Sequence, residues 1–307
     1  MPFRRTSTRL ASSAGAVALA AALAGCGASA SGEPAAGPAG DEKEITLAYG
    51  AGWAEAESVS YLWKDLLESE GYDVTLESGD IGVVYTALAG GDFDLTVAAW
   101  LPNTHAAYLE QYGDDISDQG VWYDQAKITI AVNEDSPART IGDLAKYADD
   151  YGNKLVGIEA GAGQTKITQD VVVPTYGLEG LDYTISSTPA MLAELKGAVE
   201  ADRNIAVTLW RPHWAYDEFP VRDLEDPEGT LGGAEEIHNW GTKDFSERYP
   251  QASSWFQAFE MDDEQLFSLE NLMFNDPAYA DDPEGAVDAW LEQNPDFFDD
   301  LKAAAAA

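Results

Sequence analysis

From residue 44 onward the chain alternates between short apolar runs that end in glycine and longer runs whose apolar residues recur every three to four positions. "EITLAYGAGW" reads as a buried strand, and "AEAESVSYLWKDLLESEGY" as an amphipathic helix with Val59, Leu62, Trp63, Leu66 and Leu67 on one face. "DVTLESG" gives a second strand, "GVVYTALAGGD" a second helix and "FDLTVAAW" a third strand. A β-α-β-α-β order implies a mostly parallel sheet with helices on its faces. "AKITIAVNED" is a strand leaving that unit, and the alternation then restarts. "KLVGIEAGAG", a helix from Gln164, "DYTISS", the helix "PAMLAELKGAVEA" and the strand "NIAVTLW" make a second α/β unit. Two lobes joined by crossing strands satisfy this order. The stretch from "EEIHNWGTKDF" on is expected to return to the first lobe, with "DEQLFSLENLMF" and "PEGAVDAWLEQNPDFFDDL" as closing helices.

Ahead of this region, Arg4, Arg5 and Arg9 precede an alanine-rich apolar run that ends in "LAGC" at Cys26. That order predicts a secretory signal over 1–25, removed on export. The single cysteine directly after the small residues resembles the bacterial lipobox, so lipid on Cys26 and a membrane anchor without a spanning helix are expected. Residues 26–43 are small, Pro/Gly-rich and charged, the composition of a flexible tether. Lobe 1 is assigned to 44–131 and 234–301, lobe 2 to 132–233, and 302–307 to a frayed alanine tail. The predicted signal holds three of 17 basic residues and no acidic one. The remaining 14 face 55 acidic residues, a formal charge of −41. That charge argues against nucleic acid or an anionic membrane surface as partner, and also suits a salty habitat.

Ligands of open α/β sheets bind beyond the carboxyl ends of the strands. Trp53, Trp100 and Trp210 stand at three such ends. "AWLPNTH" (99–105), "GIEAGAG" (157–163) and "WRPHW" (210–214) together resemble motifs of the ABC-transporter substrate-binding proteins for glycine betaine and related quaternary amines, and the similarity runs from about residue 44 to about residue 260. The resemblance implies a two-lobed, type II periplasmic-binding-protein fold with the ligand in the interlobe cleft. It also implies that Trp53, Trp100 and Trp210 cage the quaternary nitrogen, while His105 and the backbone N–H groups of Gly163 and Gln164 hold the carboxylate. Trp214 shares a motif with Trp210 and either joins or buttresses the wall. Choline-preferring relatives carry a tyrosine wall that aligns near Ile128.

Elementary chemistry is compatible with these roles. A trimethylammonium group offers no hydrogen-bond donor, and burying a carboxylate to meet it costs several kcal/mol in desolvation. Aromatic faces attract it at ~0.5 to 2 kcal/mol per ring without that cost. Glycines before a helix leave free N–H groups at the positive end of its dipole. Trp63, Trp240, Trp255 and Trp290 fall on or near amphipathic patterns and are expected in the core. Glu55 and Glu57 are expected as first-turn residues favoured by the helix dipole.

A choline- or carnitine-binding protein of the same fold, and a secreted lipoprotein enzyme, are the alternatives. Against the enzyme, His105, His213 and His238 lack metal-ligand spacing and no G-x-S-x-G elbow is present. The expectation is therefore an extracytoplasmic, lipid-anchored, monomeric binding protein without catalytic residues, metal or cofactor. Its expected partners are a small betaine and an ABC permease with its ATPase.

Overall fold

Buried strands and one-faced helices account for the first half of the chain. β1 (Glu44–Gly50) buries Leu47 and Ala48 completely, as a strand covered on both faces must. α1 (Ala54–Ser69) buries Val59, Leu62, Trp63, Leu66 and Leu67, the stripe read from its spacing. The structure, a computed structural model, describes Gly40 and residues 42–307; the expected signal, Cys26 and most of the tether lie outside the described residues.

β2 (Asp73–Gly79), α2 (Ile81–Gly90), β3 (Leu95–Leu101) and α3 (Ala106–Tyr112) follow, then the long β4 (Ile116–Asn133). α2 opens on the Asp80 side chain, which accepts from the Gly82 N–H at 2.9 Å, and ends at Gly91 with a φ of 78°. The second unit contains α4 (Asp143–Lys146), β5 (Lys154–Val156), α5 (Gly163–Ile167), α6 (Val173–Tyr176) and β6 (Asp182–Thr184). A π-helical stretch, Thr168–Val172, makes α5 and α6 continuous. α7 (Thr188–Glu200), β7 (Ala206–Arg211), α8 (Ala215–Glu218) and β8 (Val221–Asp223) complete it. β9 (Glu235–Thr242) then returns, followed by α9 (Phe245–Arg248), α10 (Pro250–Ala258), α11 (Asp263–Glu270), α12 (Pro283–Gln293) and α13 (Phe297–Ala305).

The strands are ordered β2-β1-β3-β9-β4-β7-β5-β6, with β8 also on β4. β1 is parallel to β2 and β3, and β5 is parallel to β6 and β7. β9 and β4, the strands that carry the chain between the halves, pair antiparallel. β4 changes partner along its length: through Ala126 it pairs with β9, and from Lys127 with β7. The result is a two-lobed α/β fold, its halves joined through β4 and β9, with mixed rather than purely parallel sheets.

Three readings are corrected. The first ten residues of β4 were not legible as strand, because bulges between Asp118 and Ala126 break the alternation. The final helical segment is two helices, interrupted at Asn294 and Pro295, since proline supplies no N–H to a continuing helix. The alanine tail expected from 302 is helical through Ala305, anchored by buried Leu301 and by Lys302 paired with Glu70 at 3.0 Å.

The core of lobe 1 centres on Trp63, whose ring lies 3.8 Å from Phe256 and 4.9 Å from Phe259, centroid to centroid. Trp63→Ala should therefore cost ~3–5 kcal/mol in chemical denaturation, the range for truncating a large buried aromatic. A loss below 1 kcal/mol would show that α1 is not pinned through this ring.

Candidate functional site

The carboxyl ends of β1, β3 and β7 converge with the opening turn of α5 on one small cavity. Its lining includes Trp53, Trp100, Trp210, His105, Gly163 and Gln164, all six residues singled out from the sequence, together with Glu55, Thr104, Ile128, Ile158 and Ala162. Trp214 is outside it: its ring packs on Phe219, Phe274 and His213, and His213 in turn meets Trp210 edge-on. Trp63, Trp255 and Trp290 are core residues and Trp240 is partly buried, none of them at the cavity.

Local folding places each wall. Trp53 sits at the N-cap of α1 and folds back over Gly50, where a Cβ would lie 2.6 Å from the indole. Trp100 and Trp210 are the penultimate residues of β3 and β7, each followed by a cis X-Pro bond, Leu101-Pro102 and Arg211-Pro212. The β4–β7 register sets Ile128 beside Trp210. Trp53 and Trp210 approach to 6.4 Å with their planes at 59°. Trp53 also stacks on His105 at 5.6 Å, nearly parallel.

The turn that delivers His105 is held by a residue for which the sequence carried no signal. Buried Glu235, at the start of β9, accepts the N–H groups of Asn103 and Thr104, each at 2.8 Å, and the Thr104 hydroxyl. The Trp100 N–H donates to His105 Nδ1 at 2.9 Å, so the neutral ring carries its proton on Nε2. Nε2 is buried and, among the described residues, makes no hydrogen bond. Burial pushes the imidazolium pKa down to about 3, the Ala98 carbonyl offsetting part of that, so the ring is a neutral donor at physiological pH. His213, edge-on to Trp210, is likewise buried and held neutral. α5 opens on Ala162, which has no side-chain acceptor, leaving the Gly163 and Gln164 N–H groups without an intrahelical partner. The Gln164 side chain faces elsewhere: its Nε2 donates to the Thr129 and Leu209 carbonyls at 2.9 and 2.7 Å, tying α5 to the β4–β7 ladder.

Side chains from the two lobes meet directly around the cavity. Trp210 Nε1 donates to Glu55 Oε2 at 2.9 Å, Trp53 Nε1 to Glu159 Oε2 at 3.5 Å, and the Tyr108 hydroxyl to the Gly161 carbonyl at 2.7 Å. Glu159 is itself fixed by the Thr188 N–H at 2.7 Å at the start of α7. A Cβ on Gly163 would overlap the Thr104 carbonyl, so only glycine permits this approach.

Glu55 corrects the sequence reading. It does lie in the first turn of α1, yet it is fully buried and lines the cavity rather than meeting solvent. Burial raises its pKa to about 7, opposed by the hydrogen bond from Trp210, and Oε1 has no partner. Behind it, Glu270 is also fully buried, and burial, then the charge of Glu55, holds its pKa well above the usual carboxylate range, opposed by the Trp214 backbone N–H. The cost that argued against a carboxylate here is met by protonation.

Residues 43–293 match the family described as the substrate binding domain of ABC-type glycine betaine transport systems. The glycine betaine/carnitine transport binding protein GbuC of Listeria monocytogenes is 35% identical over 144 residues, an alignment covering 46% of this chain and 46% of that protein, less than half its length. Lactococcal OpuAC, solved closed in complex with glycine betaine, superimposes with a TM-score of 0.78 at 26% identity over 85% of this chain and 99% of that one. The glycine betaine/L-proline-binding protein ProX of Borrelia burgdorferi does so with a TM-score of 0.78 at 26% identity, covering 86% and 100%.

A carboxyl whose folded pKa lies above its unfolded value keeps a proton that the unfolded chain has lost, so its stabilising contribution fades as pH rises from the unfolded pKa through the folded one. Glu270→Gln removes that loss. The variant should gain stability relative to the parent between pH 5 and pH 8, approaching ~1.4 kcal/mol per pH unit for one whole proton. Parallel stability curves in urea titrations at the two pH values would show that Glu270 ionises normally.

Proposed function

The chain belongs to the family of substrate-binding domains of ABC-type glycine betaine transport systems, and on that premise we propose that it captures glycine betaine or a related betaine for import. Members of this family are transporter binding proteins, not enzymes, and work with the other components of an importer. The observation that carries the reading is one small cavity lined by indoles from both lobes, with an unsatisfied Nε2–H donor in its wall.

In this reading Trp53, Trp100 and Trp210 surround the trimethylammonium group, each contributing ~0.5–2 kcal/mol through its ring face. Ile128 adds methyl contact where choline-preferring relatives have a ring. The ligand carboxylate takes the His105 Nε2–H and the N–H groups of Gly163 and Gln164, donors that otherwise stay unpaired at a cost of ~1–3 kcal/mol each. Because walls come from 44–131 and from 132–233, the ligand stabilises the closed arrangement, which the permease and ATPase then read. Export by the 1–25 signal and lipid on Cys26 would hold the monomer at the outer face of the membrane within reach of that permease. No described helix is long and apolar enough to cross a membrane.

Calorimetry with glycine betaine, proline betaine, carnitine, choline, ectoine and proline tests the reading; absence of heat from all six at millimolar concentration would refute it. Trp100→Ala and Trp210→Ala should each weaken the best ligand by more than about tenfold, the loss of one ring face plus its packing. Unchanged affinity would remove the cage. His105→Ala should harm betaine more than choline, which has no carboxylate, and the reverse order would mean that the ligand lies the other way round. Gly163→Ala should lower affinity by at least about tenfold, since a steric overlap costs more than ~1.4 kcal/mol. Wild-type binding would show that the Thr104 contact is not part of the bound form.

A further inference from the structure

Two buried carboxyl groups stand at the cavity with no cation to neutralise them. Glu55, on α1, forms part of the lining; Glu270, on α11, lies behind it and feels its charge. The groups that face them are the indole N–H of Trp210 on β7, at 2.9 Å from Glu55, the indole of Trp100 on β3, the Trp214 backbone N–H, and the carboxylate of Asp217 on α8. Asp217 is itself held by Asn271 at 2.8 Å. The imidazoles nearby, His105 in the cavity wall and His213 against Trp210, are neutral. Among the described residues neither glutamate joins an ion pair, and three of their four oxygens are buried without a hydrogen bond.

Resting on the betaine reading, we propose that Glu55 and Glu270 make the site a reader of ligand charge: the empty cavity holds a proton on Glu55, and an entering cation displaces it. Two carboxylates this deeply buried do not ionise together, because each raises the cost of charging the other. Glu270 keeps its own proton throughout, so the site presents one negative charge at most. In the exchange the Glu55 O–H bond breaks, the electron pair stays on Oε1 or Oε2, and the proton passes to bulk water or buffer. The trimethylammonium charge then replaces it as the neutralising partner. Oε2 keeps the Trp210 N–H in both states, so ionisation does not require the wall to move.

The exchange separates ligands of the same shape. 3,3-Dimethylbutanoate has the outline and carboxylate of glycine betaine but carbon in place of the charged nitrogen. It can displace no proton, and against an ionised Glu55 it leaves a buried anion uncompensated.

Calorimetry of the wild-type protein with glycine betaine in phosphate and in Tris, at a series of pH values, counts the protons released. A fraction of one proton per betaine should appear at and below the value near 7 to which burial raises Glu55, and should vanish about two units above it. In Glu55→Gln the release should be lost at every pH. The tert-butyl isostere should bind the wild type at least about tenfold more weakly at pH 8 than betaine does, the gap narrowing as pH falls and Glu55 regains its proton. Betaine binding with identical heats in both buffers throughout would overturn the charge-reading role while leaving the betaine assignment intact. So would release that persists in Glu55→Gln, or a gap between betaine and the isostere that stays the same at every pH. Absence of betaine binding would overturn both.

Discussion

Glu55 and Trp210 meet across the cleft through a single hydrogen bond, indole N–H to buried carboxyl at 2.9 Å, and much of the site's geometry depends on it. The indole is anchored at its edge, which leaves its face free to line the cavity. Glu159 holds the edge of Trp53 in the same manner, from the opposite lobe. Each of these two rings is therefore steadied by an acid belonging to the other half of the molecule. Separating the lobes would return both indole N–H groups and both carboxyl groups to water, where they lose little. The bonds thus specify orientation in the closed form without adding much to the strength of closure.

The same acid–indole arrangement explains how so acidic a chain tolerates carboxyl groups inside it. The full sequence carries a formal charge of −38, and few of its described aspartates and glutamates are buried. The buried ones divide by what meets them. Glu235 is satisfied by two amides and a hydroxyl and serves as a staple for the Pro102 turn. Glu55 and Glu270 lack that provision, and burial raises the pKa of both.

Much of this was legible in the sequence, and the exceptions have physical causes. The stripe of α1 and the tryptophans at three strand ends follow from local periodicity and from where open sheets bind ligands, so they could be read directly. Glu55 could not, because a first-turn acid favours the helix dipole equally whether the turn faces solvent or a cleft. Glu235 could not either, since its partners lie more than 130 residues away. The early part of β4 was hidden by bulges that disturb the alternation on which strand reading depends. The break between α12 and α13 was visible as Pro295, but the apolar pattern on both sides of it outweighed the proline.

Gly163 against the Thr104 carbonyl has one further consequence. At this contact between the lobes, main chain rests on main chain, and no substitution can make that spacer thinner. The width of the chamber is thereby decoupled from the identity of its walls. A descendant adapting to a bulkier or slimmer solute would have to trade side chains at positions such as Ile128 or Ile158, because the gap itself is already at its minimum.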